Sequence, residues 1–296
     1  MDCDAQLLRS LLFVPASDER KLAKVEGFGS DAIVLDLEDA VADDRKVAAR
    51  ASARAALPRY GPGTAAVVRV NAITTGLFDA DIAAVVTARL DAIMVPKVED
   101  AEALTYADRQ IATAERRAGV QVGTIALLAI LETPLGIARC ESILAGAPAR
   151  TRTSVFGSAD FATGLGVELT PDAEEILHAR SRVVVATRAA GLAAPIDGAW
   201  LWLDDDAGLQ RDTARSRQLG FQGRIALHPR QVASLQRAYS QLSDEELQRS
   251  QRTVEAFEAA NRRGDAALRV DGRFVDYPIY RLARERLARY EAQMHP

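Results

Sequence analysis

The chain has 296 residues, of which 48% are hydrophobic and 26% are charged, and its formal net charge is −4. This composition is that of a globular protein and excludes a largely disordered chain. The acidic balance argues against a protein that binds nucleic acid over its whole surface. The longest apolar run, residues 125–131, is far too short to cross a bilayer, and we see no targeting segment. We therefore expect a cytoplasmic protein with neither nucleic acid nor a membrane as partner.

Short apolar runs recur at regular intervals along the chain, and nearly every one ends in polar or charged residues. The runs are residues 10–14, 32–35, 65–68, 92–95, 125–131, 154–156, 193–196 and 224–227. Continuous apolar runs are typical of parallel strands that are buried on both faces. With helical stretches between them, eight such strands predict an α/β fold, a TIM (β/α)8 barrel.

The stretches between the runs have helical periodicity and helix formers. The predicted helices cover residues 43–57, 77–89, 101–118, 171–190 and 206–219. Thr170 followed by Pro171 resembles an N-cap with proline at the first helical position, and it predicts where the fourth of these helices begins. Glycines at 119, 191 and 220 predict where helices end.

Basic residues follow the first predicted strand. Arg20, Lys21 and Lys24 lie in the first turns of a predicted helix, after the small residues of Pro-Ala-Ser. A helix N-terminus with nearby cations can bind phosphate. The alternative is a solvated helix face, and no phosphate-binding glycine motif accompanies these residues.

Charged residues also end the next three strands, at the face where such barrels carry their chemistry. Asp36 and Glu38 follow the second strand, Arg69 ends the third, and Lys97 follows the fourth. Arg69 presents a guanidinium suited to a carboxylate or a developing oxyanion, and Lys97 could do similar work. An ion pair of Arg69 with Asp36, Glu38 or Asp39 is the alternative, and both roles can coexist. Arg69, Asp36 and Glu38 are therefore candidate catalytic residues.

Two carboxylates end consecutive strands, the fifth and the sixth. Glu132 and Asp160 should be neighbours at the barrel mouth, and small residues surround them. Mg²⁺ in proteins takes one or two carboxylates, retains water and leaves positions for substrate oxygens. The pair predicts a Mg²⁺ site, with ordinary loop acids or a salt bridge to arginine as the alternative. The histidines form no cluster, and Cys3 and Cys140 have no zinc-ligand spacing.

The last fifty or so residues are not needed to close a barrel. We assign residues 1–241 to the barrel and residues 242–296 to a C-terminal extension. Ser243 and the acids after it predict the start of a helix, Asp271-Gly272 predicts a hairpin-like turn, and residues 278–293 predict a last helix. This extension is a candidate lid or oligomerisation arm.

Together these residues resemble the citrate lyase beta-subunit-like proteins, within the larger HpcH/HpaI aldolase and citrate lyase group. The matching stretches run in order from residue 11 to about residue 285. They are LLFVPASDERKLAK, DAIVLDLEDAVADDRKVAAR, VVRVN, DAIMVPKVED, LLAILETPLGI, FGSADFATGLG, PIDGAW, GFQGRIALHPRQV and VDGRFVDYPIYRLA. Each stretch is of modest specificity alone, and the ordered set is highly specific.

The resemblance implies a Mg²⁺-dependent carbon–carbon lyase acting on a 3-hydroxy acyl-CoA that carries a second carboxylate. Citramalyl-CoA and malyl-CoA are substrates of this kind, and the products would be acetyl-CoA and a 2-keto acid. A citrate lyase beta subunit acting on a citryl-carrier protein is a second possibility. A metal-dependent aldolase for free sugar acids, a thioesterase side activity and a non-enzymatic scaffold are further alternatives.

The resemblance also implies residue roles. Glu132 and Asp160 would be the Mg²⁺ ligands, and Arg69 would contact the reacting oxygens. The segment that contains Arg20, Lys21 and Lys24 would lie near the coenzyme A phosphates, and we group Lys97 with these as a candidate coenzyme-binding residue. Asp276, in the stretch FVDYP, would act as acid or base in the site of a neighbouring subunit. This implies a homo-oligomer, a trimer or a hexamer. Leu135, Leu165 and Trp200 are expected to shape the keto-acid pocket.

Overall fold

A closed barrel of eight parallel strands organises the first part of the chain. The computed structural model describes residues 8–61, 63–240 and 244–294. The strands are β1 (Ser10–Pro15), β2 (Ala32–Asp36), β3 (Ala65–Arg69), β4 (Ala92–Val95), β5 (Ala126–Leu131), β6 (Thr151–Phe156), β7 (Ile196–Asp197) and β8 (Gly223–Ala226). Each strand pairs with the next, and β8 pairs with β1. The predicted TIM barrel is confirmed.

Helices follow most of the strands. They are α1 (Glu19–Leu22), α2 (Lys46–Ala56), α3 (Phe78–Val85), α4 (Ala101–Ala118), α5 (Pro134–Ala138), α6 (Cys140–Ala145), α7 (Ser158–Leu165), α8 (Leu177–Ala189), α9 (Asp206–Leu219) and α10 (Pro229–Ser240). The bounds of α4 and α9 are those predicted. In α4 the Asp100 side chain accepts from the Ala103 amide, and Gly119 ends the helix at φ 66°, a conformation that glycine adopts readily.

Side chains alternate between two apolar layers along each strand. One layer fills the barrel interior and includes Leu11, Val34, Val67, Leu128 and Ile196. The residues between them face outward and pack with the helices in a larger core. Because side-chain direction has a period of two, the polar residue that ends a strand keeps the direction set by the apolar residues before it.

Two observed strands begin three residues away from their predicted starts, and the others agree to within one residue. β6 begins three residues earlier than the apolar run, because polar Thr151 and Thr153 are buried in the strand, where they replace apolar residues. β7 has two residues and begins at Ile196, after Pro195. Proline has no amide hydrogen to donate to a strand ladder, so the regular pairing begins only after it.

The predicted start of the helix at Pro171 is wrong. Helix α8 begins at Leu177, and residues 171–172 and 175–176 form turns. The Thr170 amide and hydroxyl both donate to the Glu175 carboxylate, at 2.6 Å and 2.9 Å. Ala173 has a φ of 50°, which an α-helix does not allow. The side chain of Glu175 thus holds a turn in place of the first helical turns.

The chain divides into two compact units at Tyr239 and Ser240. The second unit contains α11 (Asp244–Asn261), the antiparallel strands β9 (Ala267–Val270) and β10 (Arg273–Asp276), and α12 (Tyr277–Met294). Asp271 and Gly272 both have positive φ, which is typical of the tight hairpin turn predicted there. The predicted cap Ser243 lies outside the described residues.

A small apolar core holds the second unit together. Phe257 stacks on Tyr280 with ring centroids 4.5 Å apart, and Val275 is buried beside them. The long helices α11 and α12 and the hairpin thus share one cluster. Within the described part of the chain, no helix has the length and apolar character needed to cross a membrane.

Candidate active site

The polar residues at the carboxyl ends of β2, β3 and β5 continue the interior layer of the barrel. Asp36 lies two residues after interior Val34, Arg69 two after Val67, and the residue after Ile130 in this alternation is Glu132. Asp36 and Glu132 are almost completely buried. The two-residue period of the strands therefore delivers a guanidinium and two carboxylates to the barrel mouth, as the sequence predicts.

The guanidinium of Arg69 is held in one orientation. Its Nε and Nη2 donate to the two carboxylate oxygens of Asp36, at 2.8 Å and 2.6 Å. Its guanidinium carbon lies 5.2 Å from the centroid of the Phe13 ring, a cation–π arrangement. Bidentate pairing and stacking together leave the remaining N–H groups as a preoriented donor. The structural ion pair and the ligand-binding role, considered as alternatives above, are compatible.

Glu38 joins Arg69 to Lys97. One of its carboxylate oxygens lies 3.0 Å from Arg69 Nη1, and the other accepts from Lys97 Nζ at 2.7 Å. Burial raises the pKa of Glu38 above its ordinary value, although Arg69 and Lys97 oppose that rise. Burial would lower the pKa of Lys97, but the Glu38 carboxylate raises it overall. Glu38 is therefore a bridge between two cations.

The backbone of Lys97 also contacts Glu132. Its amide donates to Glu132 Oε1 at 2.8 Å. Lys97 has a φ of 52°, a left-handed conformation that is uncommon for a residue with a side chain. Its side chain borders a cavity of about 370 Å³ between the loops that follow β3 and β4. Lys97 thus links Glu38, Glu132 and an open space beside the mouth.

Glu132 and Asp160 come together as predicted. Asp160 lies in the first turn of α7, and the Gly157 amide before that helix donates to the Leu131 carbonyl at 3.2 Å. Burial, together with the charges of Asp160 and Glu38, raises the pKa of the Glu132 carboxyl to about 8 against the pull of Arg69. The effect of the Asp160 charge on Glu132 shows that these two carboxylates are close enough to repel each other.

This carboxylate pair fits a magnesium ion better than a zinc ion. Among the described residues, no third histidine, cysteine or acid completes a metal-binding group with them. Structural and catalytic zinc sites need three or four protein ligands, whereas Mg²⁺ takes one or two carboxylates and retains water. A divalent cation would also offset the repulsion between the carboxylates. The donors present thus fit Mg²⁺.

The residues predicted to bind coenzyme A phosphates and to transfer a proton have other contacts. Arg20, Lys21 and Lys24 are exposed on and after α1, at the end of β1, and Lys21 forms an ion pair with Asp18 at 3.6 Å. Asp276 ends β10 in the second unit, where its carboxylate accepts from the Ile279 amide at 3.5 Å. Their assigned roles in coenzyme binding and proton transfer remain predictions.

The predicted role of Trp200 in the pocket is wrong. Trp200 is only 2% exposed, its ring packs on Trp202, and its indole N–H donates to the Asp205 carbonyl at 3.2 Å. A large amphipathic ring gains more from this burial than from exposure in a loop. Leu135 and Leu165, by contrast, are 40% and 47% exposed.

Sequence reasoning missed two residues that contact this cluster. Phe13 belongs to the same interior alternation as Leu11, so the period of β1 could have placed it below Arg69. Lys46, at the start of α2, donates to the backbone of the loop after β2. No pattern in the sequence distinguishes this lysine from a solvated one.

A closed (β/α)8 barrel with a carboxylate pair and an oriented guanidinium at the carboxyl ends of its strands defines an enzyme of the TIM-barrel class. The HpcH/HpaI aldolase/citrate lyase family matches residues 9–229. The chain belongs to this family. It is therefore a carbon–carbon lyase, as the resemblance implied.

Relatives and solved structures agree with this assignment. The chain is 34% identical over 275 residues to the citrate lyase subunit beta of Leuconostoc mesenteroides subsp. cremoris, covering 93% of this chain and 90% of that one. It is 35% identical to a (3S)-malyl-CoA thioesterase of Cereibacter sphaeroides, with 97% and 96% covered. The structure of the protein CitE from Mycobacterium tuberculosis, in complex with magnesium, acetoacetate and coenzyme A, has a TM-score of 0.76 at 27% identity and covers 95% of this chain and 97% of that one.

Proposed function

We propose that the chain is a stand-alone Mg²⁺-dependent lyase that cleaves a 3-hydroxy dicarboxylic acyl-CoA, of the citramalyl-CoA or malyl-CoA type. The products are acetyl-CoA and a 2-keto acid. The observation that carries this proposal is the closeness of the Glu132–Asp160 pair to the oriented Arg69 guanidinium at the barrel mouth. An anionic keto acid and a thioester oxygen need these two kinds of group side by side.

The reaction breaks the bond between the carbon that bears the hydroxyl and the α-carbon of the thioester. A base takes the hydroxyl proton as the hydroxyl becomes the keto group, and the electrons of the broken bond pass to the thioester as an enolate. Protonation of the enolate carbon then gives the acetyl group. Glu132 and Asp160 would hold Mg²⁺, which when bound supplies a Lewis acid that polarises the substrate's hydroxyl or keto oxygen.

Arg69 stabilises the charge that develops on the thioester oxygen. Its guanidinium is already oriented by Asp36 and Glu38, so little reorganisation is needed as the charge forms. These two acids therefore act through the arginine. Asp276 of a neighbouring subunit exchanges the proton at the acetyl carbon, and the arm that carries it covers the mouth against water.

The coenzyme lies along the rim of the barrel. Arg20, Lys21 and Lys24 at the end of β1 bind its phosphates, for which exposed cations are suited. Lys97 borders the cavity of about 370 Å³ beside the mouth, which gives a thioester arm room near the reacting carbons. Because each site needs the arm of another subunit, the chain forms an oligomer, and the family resemblance favours a trimer or a hexamer.

Hydrolysis of the malyl thioester is a second candidate activity, and the 35% identity to a (3S)-malyl-CoA thioesterase favours it. The same site would need to admit water to the thioester carbonyl. Action on a citryl-carrier protein, as a citrate lyase beta subunit, and an aldolase reaction on free acids are the remaining alternatives.

The test is an assay of the purified chain with Mg²⁺ and free citramalyl-CoA or malyl-CoA, following both keto acid and thioester. Cleavage should yield equal amounts of keto acid and acetyl-CoA, and Glu132→Ala should abolish it. Glu141→Ala changes an exposed acid after β5 and is the matched control. Thioester loss without keto acid would instead favour hydrolysis. No turnover by a folded protein that binds Mg²⁺ would reject free acyl-CoA as substrate.

A further inference from the structure

Lys46 is a buried ammonium without a carboxylate partner among the described residues. It is the first residue of α2 and is 7% exposed. Its Nζ donates to the backbone carbonyl oxygens of Leu37 at 2.9 Å and Glu38 at 2.7 Å. Those carbonyls belong to the loop after β2, the same loop whose Glu38 side chain contacts Arg69 and Lys97.

This placement is unfavourable for stability taken alone. A buried charge loses its hydration, and neutral carbonyl oxygens offset that loss less well than a carboxylate does. The positive end of the helix dipole lies at the N-terminus of α2 and also opposes a cation there. Departures from such local rules are expected at functional or strained sites.

Several hydrogen bonds hold the loop after β2, among them those of the Leu37 amide with the Arg69 carbonyl at 2.9 Å and of the Val41 amide with the Glu38 carbonyl at 3.0 Å. The amides of Glu38 and Ala40 donate to the Asp36 carboxylate, at 2.9 Å and 3.2 Å. Asp36 thus accepts from two amides of the loop, and Lys46 donates to two of its carbonyls. These bonds restrict the position of the Glu38 side chain.

We propose that Lys46 is a positioning residue for the lyase site. It fixes the backbone of residues 37–38 so that Glu38 can bridge Arg69 and Lys97 at once. The proposal rests on the proposed function for its catalytic consequence, but not for its structural one. Without the ammonium, the Leu37 carbonyl loses its donor and the Glu38 carbonyl keeps the Val41 amide at 3.0 Å, and Glu38 no longer restrains Arg69.

The test compares Lys46→Met with Arg50→Met. Arg50 is on the same helix, and its Nε donates to Asp81 on α3 at 2.6 Å, away from the loop. Both variants remove one internal cation from α2, so Arg50→Met reports the effect of losing such a cation outside the loop after β2, at a site where Asp81 keeps its bonds to Asn71. Lys46→Arg keeps a cation and N–H donors and serves as the conservative variant. The readouts are kcat, KM, thermal unfolding, and hydrogen exchange in the segment 36–46.

We expect Lys46→Met to lower kcat about 10²-fold with little change in KM, since a misplacement of about 1 Å can have that effect. Exchange in residues 36–46 should speed up in Lys46→Met only, and Lys46→Arg should recover part of kcat. Equal kcat in Lys46→Met and Arg50→Met would overturn the proposal. If the wild-type chain cleaves no acyl-CoA, the proposed function fails, but hydrogen exchange in residues 36–46 still tests whether Lys46 fixes the loop. Unchanged protection in Lys46→Met would then reject the role of Lys46.

Discussion

The side chain of Glu132 lies directly against the α-carbon of Gly157. A β-carbon at Gly157 would be 2.3 Å from Glu132 Oε2 and 2.4 Å from Glu132 Cβ. The Cβ of Glu132 is attached to the backbone after β5 and cannot rotate away, so any side chain at position 157 must displace Glu132. The carboxylate reaches the mouth because glycine follows the neighbouring strand β6.

Replacing this glycine should damage the site more than the fold. We expect Gly157→Ala to cost about 1–3 kcal/mol of unfolding free energy, as overpacking does. The larger effect should be weaker Mg²⁺ binding and lower lyase activity, because Glu132 is moved. Denaturant unfolding and calorimetric titration with Mg²⁺ measure the two effects. Gly61→Ala is the control, because an added β-carbon there would meet no described atom within 4 Å.

Arg69 should not tolerate lysine. Lysine cannot form the bidentate pair with Asp36 or the flat contact with Phe13. We expect Arg69→Lys to lower kcat/KM about 10²–10³-fold, the range for loss of an oxyanion donor. Steady-state kinetics measure this. Arg182→Lys, at an exposed arginine paired with Glu141, should remain near wild type. Near-normal activity of Arg69→Lys would show that charge alone is needed at this position.

Magnesium should stabilise the protein through the carboxylate pair. At a free concentration 100 times the Kd, a ligand adds about 2.7 kcal/mol to the unfolding free energy. We expect a rise in Tm with Mg²⁺ that chelator reverses, and no rise in Glu132→Ala or Asp160→Ala. Glu141→Ala should keep the full shift. A shift that persists in both carboxylate variants would place the ion elsewhere.

Mixing two inactive variants tests the arm. If Asp276 acts in a neighbour's site, hybrid oligomers of Glu132→Ala and Asp276→Ala contain some sites with both residues intact. Co-refolded mixtures should therefore regain part of the activity that each variant lacks alone. Asp265→Ala, an exposed acid in the same unit, should be active by itself. No recovery in verified hybrids would contradict a site shared between subunits.

Acid should weaken a buried network on the β7 and β8 side of the barrel. Arg180 and Arg224 donate to Asp212 at 2.9 Å and 2.5 Å. Burial would raise the pKa of Asp212, but Arg224 and Arg180 hold it below its ordinary value. The stabilisation is thus complete above the unfolded-state pKa of about 3.9 and is lost as pH falls through the lower folded-state pKa.

Asp212→Asn should remove this pH-dependent term. At pH 7 we expect it to lower the unfolding free energy by about 3–5 kcal/mol, because two buried guanidiniums lose a charged partner. The difference in unfolding free energy between Asp212→Asn and the wild type should become smaller below about pH 4. Urea unfolding at a series of pH values measures this. Asp204→Asn removes the partner of Arg230 in an exposed pair. It should change neither the unfolding free energy at pH 7 nor its dependence on pH. A difference that does not change with pH would mean that Asp212 is not ionised in the native state.

The sequence determined the barrel and the residues at its mouth. Continuous apolar runs gave the parallel strands, and the period of two carried Asp36, Arg69 and Glu132 from the apolar layer to the mouth. Helices with strong local signals, such as α4, were predicted to the residue. The start of α8 was mispredicted, because the contact of the Glu175 side chain with Thr170 favours a turn where the local pattern predicts a helix.

Only the tertiary structure decided how those residues work together. The bridge from Arg69 through Glu38 to Lys97, and the contact of Glu132 with Gly157, join segments far apart in the chain. The burial of Lys46 under the loop after β2 was likewise not apparent from the sequence. Sequence periodicity reports the direction of a side chain relative to its own strand or helix. Distances between elements depend on how the closed barrel packs them, and that packing is a property of the whole chain.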